Sequence, residues 1–203
     1  MSKGRLEAFS DGVLAIIITI MVLELKVPQK PELSALRPML PVFLGYALSY
    51  CYVGIYWNNH HHMLHAARHV TGGGMWANLN LLFWLSLIPF VTEWWGRSST
   101  EAGPTALYGV VLLMAAIAYW ILQAAIVAGD GPDSVLARAV GKDVKGKVSI
   151  GLYATAIAVA FASPAVSSAI YVLVAVIWVI PDRRIERALA QPGTPAPPGG
   201  AGV

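Results

Sequence analysis

The chain has 203 residues, of which 57% are hydrophobic and 12% charged, with one cysteine and a net charge of +3. About a quarter of the residues in a soluble domain carry charge, so this composition excludes an ordinary soluble enzyme and fits an integral membrane protein of one compact bundle. The positive balance is no sign of nucleic-acid binding, because lysine and arginine placement in a membrane protein reports orientation, and the lone Cys51 excludes an intrachain disulfide framework.

The first apolar run, 5–25 (RLEAFSDGVLAIIITIMVLEL), opens with an arginine, a serine and an aspartate. Ionisable groups at the mouth of a membrane-length segment are costly and usually functional. No small-residue cleavage site follows the run, so the mature chain is expected to keep it. On a helix with Ile16 as zero, Ile20 falls at about +40°, Leu23 at about −20° and Thr19 at about −60°. Phe9 and Gly12 share that side. Asp11 lies at about −140° and Ser10 at about +120°, so the polar pair points away from the isoleucine stripe and needs partners on another helix. One face is therefore expected to dock on the rest of the chain, and the stripe to face a pore or a neighbouring subunit.

Hydropathy predicts six spans, at 6–27, 40–65, 75–95, 106–128, 148–163 and 164–180. Pro28, Pro31, Pro38 and Pro41 forbid a continuous helix between the first two. Gly72, Gly73 and Gly74 are expected to break the chain before the third, where Pro89 should kink or end the helix one turn before its close and Trp94 and Trp95 should anchor it at the interface. A charged loop at 130–147 has room for one short amphipathic helix. The small residues Gly151, Ser163, Ser167 and Ser168 give the last two spans the look of a tight helical hairpin, a re-entrant hairpin being the alternative. The ordered domain is expected over 1–190, and a disordered Pro/Gly-rich tail over 191–203. With the N-terminus in the cytoplasm, ten of the fourteen lysines and arginines fall inside, so charge placement predicts six spans with both termini cytoplasmic.

The second span ends in YWNNHHHMLHAARH. His61 and His65 are four apart on one face, a spacing that ligates metals, yet no third ligand is evident and the imidazoles are expected to bond polar partners instead. A pH-sensing role lies between the two readings. In the third span Asn78 and Asn80 sit in an apolar helix, where an amide demands a hydrogen-bond partner. Trp76, His60 or His61, Asn78 and the Ser10-Asp11 face would all lie toward the cytoplasmic side, which suggests a buried network joining spans one, two and three. The run contains no TVGYG-type filter.

Arg5, Phe9, Ser10 and Asp11 match the R-x-x-x-F-S-D signature at the start of the first span in the transmembrane protein 175 family of potassium channels, and GVLAIIITIMVLEL, YWNNHH and WANLNLLF-to-LIPF also resemble it. The resemblance covers the first half of the chain. It implies an all-α membrane protein of six helices per subunit in a homotetramer, with the first helix of each subunit lining a central potassium path and no cofactor beyond the permeant ion. By the family pattern Ile16 would form the narrowest apolar ring, with Ile20 and Leu23 continuing it and Thr19 offering a hydroxyl beside it. Arg5, Phe9, Ser10 and Asp11 would brace the pore helix, with His60 or His61, Trp76 and Asn78 as partners. The expected activity is a passive potassium channel of the prokaryotic cell membrane that selects and gates through a hydrophobic constriction. Proton conduction is the nearest rival, a small secondary transporter the next, and a metalloenzyme the last; the transporter reading lacks the inverted repeats and broken midplane helices it would need.

Overall fold

Thr71 shows how local chemistry sets the elements. Its side-chain oxygen accepts from the Gly74 amide at 3.0 Å and caps α3 (Gly72–Ser86), so the three glycines form a first turn instead of the expected break. A hydroxyl cap offsets the entropic cost of glycine there. In this computed structural model, which describes residues 2–140 and 143–179, the regular structure is helical throughout. The expected tail at 191–203 and Lys142, Arg183, Arg184 and Arg187, which are expected on the cytoplasmic side, lie outside the described residues.

The first helix, α1 (Lys3–Leu23), starts three residues before the predicted span and ends four residues before it. A 3-10 helix, Leu33–Met39, occupies part of the proline-rich connection and leads into α2 (Leu40–Ala66). Pro41 sits in the first turn of α2, where its missing N–H costs nothing. The third span is interrupted at Leu87, earlier than the sequence suggested, and resumes as α4 (Ile88–Arg97) with Pro89 in its first turn. A proline ring collides with the carbonyl four residues back, here that of Leu85, so the helix must restart upstream of Pro89 instead of kinking at its end. Next comes α5 (Ala102–Asp130), longer at both ends than predicted. The charged loop holds the short α6 (Val135–Val140), but it closes early: α7 (Val144–Ala160) takes Lys145 and Lys147 into its first turns, its N-cap Asp143 accepting from the Gly146 amide at 3.2 Å. Asp143 is left-handed, φ 37°, a conformation that aspartate tolerates better than most side chains. A turn at 161–163 then leads into α8 (Pro164–Val179), with proline at its first position.

The long helix α5 forms the spine, packed against α3 and α4 on one side and α7 and α8 on the other, while α1 lies at the edge against α2, α3 and α4. Tyrosines fill the α2, α5, α7 and α8 side. The Tyr52 hydroxyl donates to the Tyr171 carbonyl at 2.6 Å, and the Tyr171 hydroxyl to that of Thr105 at 3.0 Å. Between α2, α4 and α5, Thr92 donates to Ser49 at 2.6 Å, and Ser49 lies 2.9 Å from the Tyr108 hydroxyl. Gly109 permits the α5–α8 approach, because a Cβ there would stand 2.8 Å from Cζ of Tyr171. Trp95 departs from the expected interface role: it is buried and stacked on Tyr108 with ring centroids 4.7 Å apart, and only Trp94 is exposed.

Four segments are long and apolar enough to cross a membrane: Lys3–Leu23, Leu33–Ala66, Gly72–Arg97 and Ala102–Asp130. Shorter than these but also apolar is α8.

Candidate functional site

Each side of α1 has its own chemistry. Leu6, Ser10, Leu14, Ile17 and Met21, spaced by three and four, are buried against α2, α3 and α4. The opposite side is bare: Phe9 is 50% exposed, Ile16 57%, Ile20 41% and Leu23 78%. Thr19 is exposed beside them and donates its hydroxyl proton to the Ile16 carbonyl at 2.9 Å. That bond occupies the proton and leaves the oxygen lone pairs of Thr19 facing outward as acceptors. An open groove runs along this side, walled by Ile16, Ile20 and Glu24 of α1 and by Ser86, Phe90 and Glu93 of α3 and α4.

Ser10 carries the fastening on the buried side. Its hydroxyl donates to the Leu6 carbonyl at 2.9 Å and accepts from Nδ2 of Asn78 at 3.0 Å, and Oδ1 of Asn78 lies 2.7 Å from Nε2 of His60. An amide oxygen only accepts, so Nε2 of His60 carries the proton and the chain runs in one direction, from α2 through α3 to α1. All three side chains are buried. Of the two histidines that the sequence left open, His60 is the one in this chain. His61 is exposed and stacks between Trp57 and His65, with centroids 6.3 and 6.1 Å away.

Asp11 does not join that buried chain. It is exposed, and Oδ1 accepts from Nε1 of Trp57 at 3.0 Å. Trp57 was missed in the sequence although it lies within the YWNNHH motif; an indole N–H four residues before His61, on the face that meets α1, was the available signal. Trp76, the expected indole, is 75% exposed on α3 and is not brought to the network. Arg5 is exposed on α1 and is not brought to the Ser10-Asn78-His60 chain. Lys3 supplies the cation instead, its ammonium donating to the His65 and Ala67 carbonyls at 2.8 and 3.0 Å and closing the C-terminus of α2. Among the described residues no third His, Cys, Asp or Glu is grouped with His61 and His65 to hold a metal.

The family model described as endosomal/lysosomal potassium channel TMEM175 matches residues 5–89, which take in α1 from Arg5 on, α2, α3 and the Ser10–Asn78 and Asp11–Trp57 bonds. A protein named potassium channel from Chryseobacterium sp. is 54% identical over 191 residues, 94% of this chain and 100% of that protein. This chain belongs to the TMEM175 family. Its fold is also similar to the crystal structure of a lysosomal potassium-selective channel TMEM175 homolog from Chamaesiphon minutus, with a TM-score of 0.78 and 28% identity, covering 89% of this chain and 97% of the other. The human endosomal/lysosomal proton channel TMEM175 is 34% identical over 96 residues, 41% of this chain and 19% of that protein. TMEM175 is a family of ion channels and not of enzymes, and its helices make this chain a multi-pass membrane protein.

Proposed function

We propose that the chain is a potassium-permeable channel in which four copies of α1 surround the ion path and Ile16, Ile20 and Leu23 form its apolar constriction. One observation carries this reading: α1 is fastened by one face and leaves an uncovered apolar stripe on the other, with the outward oxygen of Thr19 inside it. Lipid suits the apolar residues of such a stripe, but not an outward hydroxyl oxygen among them, whereas a ring of four covers part of the stripe and gives the rest, with Thr19, a lumen. The groove beside it offers a seat for the neighbouring α1. The relatives named potassium channel support the choice of ion.

Six crossings per subunit follow if α7 and α8, at 17 and 16 residues, complete the bundle with the four longer segments. Both termini then face the cytoplasm of a prokaryotic cell, as charge placement requires. The constriction closes by dewetting and conducts when slightly dilated. Because potassium sheds water more readily than sodium, a tight apolar ring penalises sodium more, and no cofactor is needed beyond the permeant ion. The Ser10-Asn78-His60 chain and the Asp11-Trp57 bond hold the ring in register.

The deciding experiment is the reversal potential of the purified protein in a planar bilayer with potassium on one side and sodium on the other. A value close to the potassium equilibrium potential, with selectivity weakened in Ile16→Asn, is expected. Retained selectivity in a folded, conducting Ile16→Asn channel removes Ile16 from the filter. Proton conduction is the second reading, favoured by the names of the animal relatives and by the exposed His61. A reversal potential that follows a pH gradient, and loses that dependence when residues His60 to His62 become glutamine, would replace the first reading with this one.

A further inference from the structure

The amide of Asn80, in an apolar span, needs a partner that the subunit does not supply. Among the described residues nothing bonds to its side chain, and the same holds for Asn58 on α2. Both residues are half-buried. Asn58 lies eight residues before the end of α2 at Ala66, and Asn80 eight after the start of α3 at Gly72. That is about 12 Å along each helix, within segments long and apolar enough to cross a membrane. An amide turned to lipid at that depth has no water to satisfy it.

The two amides cannot satisfy each other within one subunit. His60 and Asn78, whose side chains lie 2.7 Å apart, mark where α2 and α3 meet. Asn58 and Asn80 each stand two residues from that bond, which turns them by about 200° on their helices and away from the contact. The same bond sets their height. Because α2 and α3 are antiparallel, two residues back along α2 and two forward along α3 both lead about 3 Å away from the end where the helices are joined. The two amides therefore stand at one level, on different helices.

Rotation about an axis normal to the membrane leaves heights unchanged, so in a cyclic ring one flank of a subunit meets groups of equal height on the opposite flank of the next. From the Ile16 stripe, Asp11 turns to α2 at about −140° and Ser10 to α3 at about +120°. With the stripe toward the axis, α2 of one copy thus turns toward α3 of the next. The two faces also differ in bulk. Gly54 and the exposed Cys51 lie one and two turns from Asn58, and a Cβ at Gly54 would meet nothing, whereas Asn80 is flanked by the exposed Trp76 and Phe83. Small residues let a neighbouring helix come close.

We propose that α2 of each copy docks on α3 of the next, and that Asn58 and Asn80 pair across this boundary, each NH2 group donating to the other's carbonyl oxygen. This contact rests on the ring around α1 and adds to it which helices touch and which amides hold them.

The test is oxidative cross-linking of the full-length protein in membrane vesicles, in a Cys51→Ala background, with Asn58→Cys and Asn80→Cys introduced singly and together. The double variant should give dimer, trimer and tetramer on a non-reducing gel, because each copy then links to both neighbours, whereas each single variant should stay monomeric. A double variant that stays monomeric on the gel while native mass spectrometry reports a tetramer overturns the contact and leaves the ring intact. A wild-type protein that is monomeric by native mass spectrometry overturns the ring and the contact together. Dimers formed by a single variant as readily as by the double one reveal a pairing of like helices and overturn the contact. Asn58→Leu and Asn80→Leu should each weaken subunit association about threefold to tenfold on dilution in detergent. Together they should weaken it no more than either does alone, since the first change already strands the partner amide. Losses that multiply in the double variant would overturn the pairing.

Discussion

The Ser10-Asn78-His60 chain fastens α1 with three short polar side chains in series, whereas tyrosines fasten the half of the bundle built from α2, α5, α7 and α8 by reaching separate backbone carbonyls. In series, loss of the middle member strands both neighbours. With separate anchors, loss of one hydroxyl is a local event, but the large rings leave no room for added volume. The scaffold half is thus sensitive to over-packing, and the α1 half to the identity of single polar atoms. Such an arrangement suits a helix that must be held in register by few contacts while its other face stays free.

The largest effect should come from Gly109→Val. The new Cβ would collide with the Tyr171 hydroxyl and lie 2.8 Å from its Cζ and 2.9 Å from Cγ1 of Ile157. Tyr171 is fully buried and bonded to the Thr105 carbonyl, so it has no vacant place to move into. A cost of about 3 kcal/mol is expected, read as a lowered unfolding temperature in detergent. If Gly109→Val unfolds at the wild-type temperature, the tight α5–α8 approach is not a feature of the protein.

Asn78→Leu comes next, at about 2 kcal/mol, because it leaves the buried Nε2–H of His60 without an acceptor and Ser10 without its donor. The series arrangement adds a sharper expectation. Ser10→Ala in the Asn78→Leu background should cost less than it does alone, since its partner is already gone. Additive costs would show that the bonds act independently. Tyr171→Phe should cost about 1 kcal/mol, an effect that is small because a single carbonyl, that of Thr105, loses its donor.

The two halves were also unequally legible. The division of α1 into a docked face and a bare face follows from a 3.6-residue period applied to Ser10, Ile16, Ile20 and Leu23, and the amide of Asn78 announced a partner because lipid offers none. The same reasoning applies to the hydroxyls of Tyr52, Tyr108 and Tyr171, but tyrosine is counted among the hydrophobic residues, and a composition reading does not separate the ring from its hydroxyl. Trp76, expected in the network, is absent from it for a different reason. Trp76 and Asn78 are two apart on α3 and lie on opposite sides of it, so once the amide of Asn78 points inward Trp76 must point outward. Pro89 announced an interruption, and the clash of its ring with the Leu85 carbonyl places the break at Leu87, upstream of the proline and not at the end of the span.

Trp57→Phe should have the smallest effect on stability, about 0.5 kcal/mol, because its bond to Asp11 is exposed and either partner can turn to solvent. That makes it the cleanest probe of what the bond does besides holding α1. Phenylalanine preserves the stacking against His61 and removes only the donor. If the bond serves to fix the rotation of α1 about its axis, Trp57→Phe should shift the potassium-to-sodium permeability ratio in the planar bilayer while leaving the unfolding temperature nearly unchanged. Asp11→Asn, which keeps an acceptor oxygen for the indole, should shift that ratio less than Trp57→Phe does. A ratio unchanged in Trp57→Phe would leave the register of the stripe to the Ser10-Asn78-His60 chain alone.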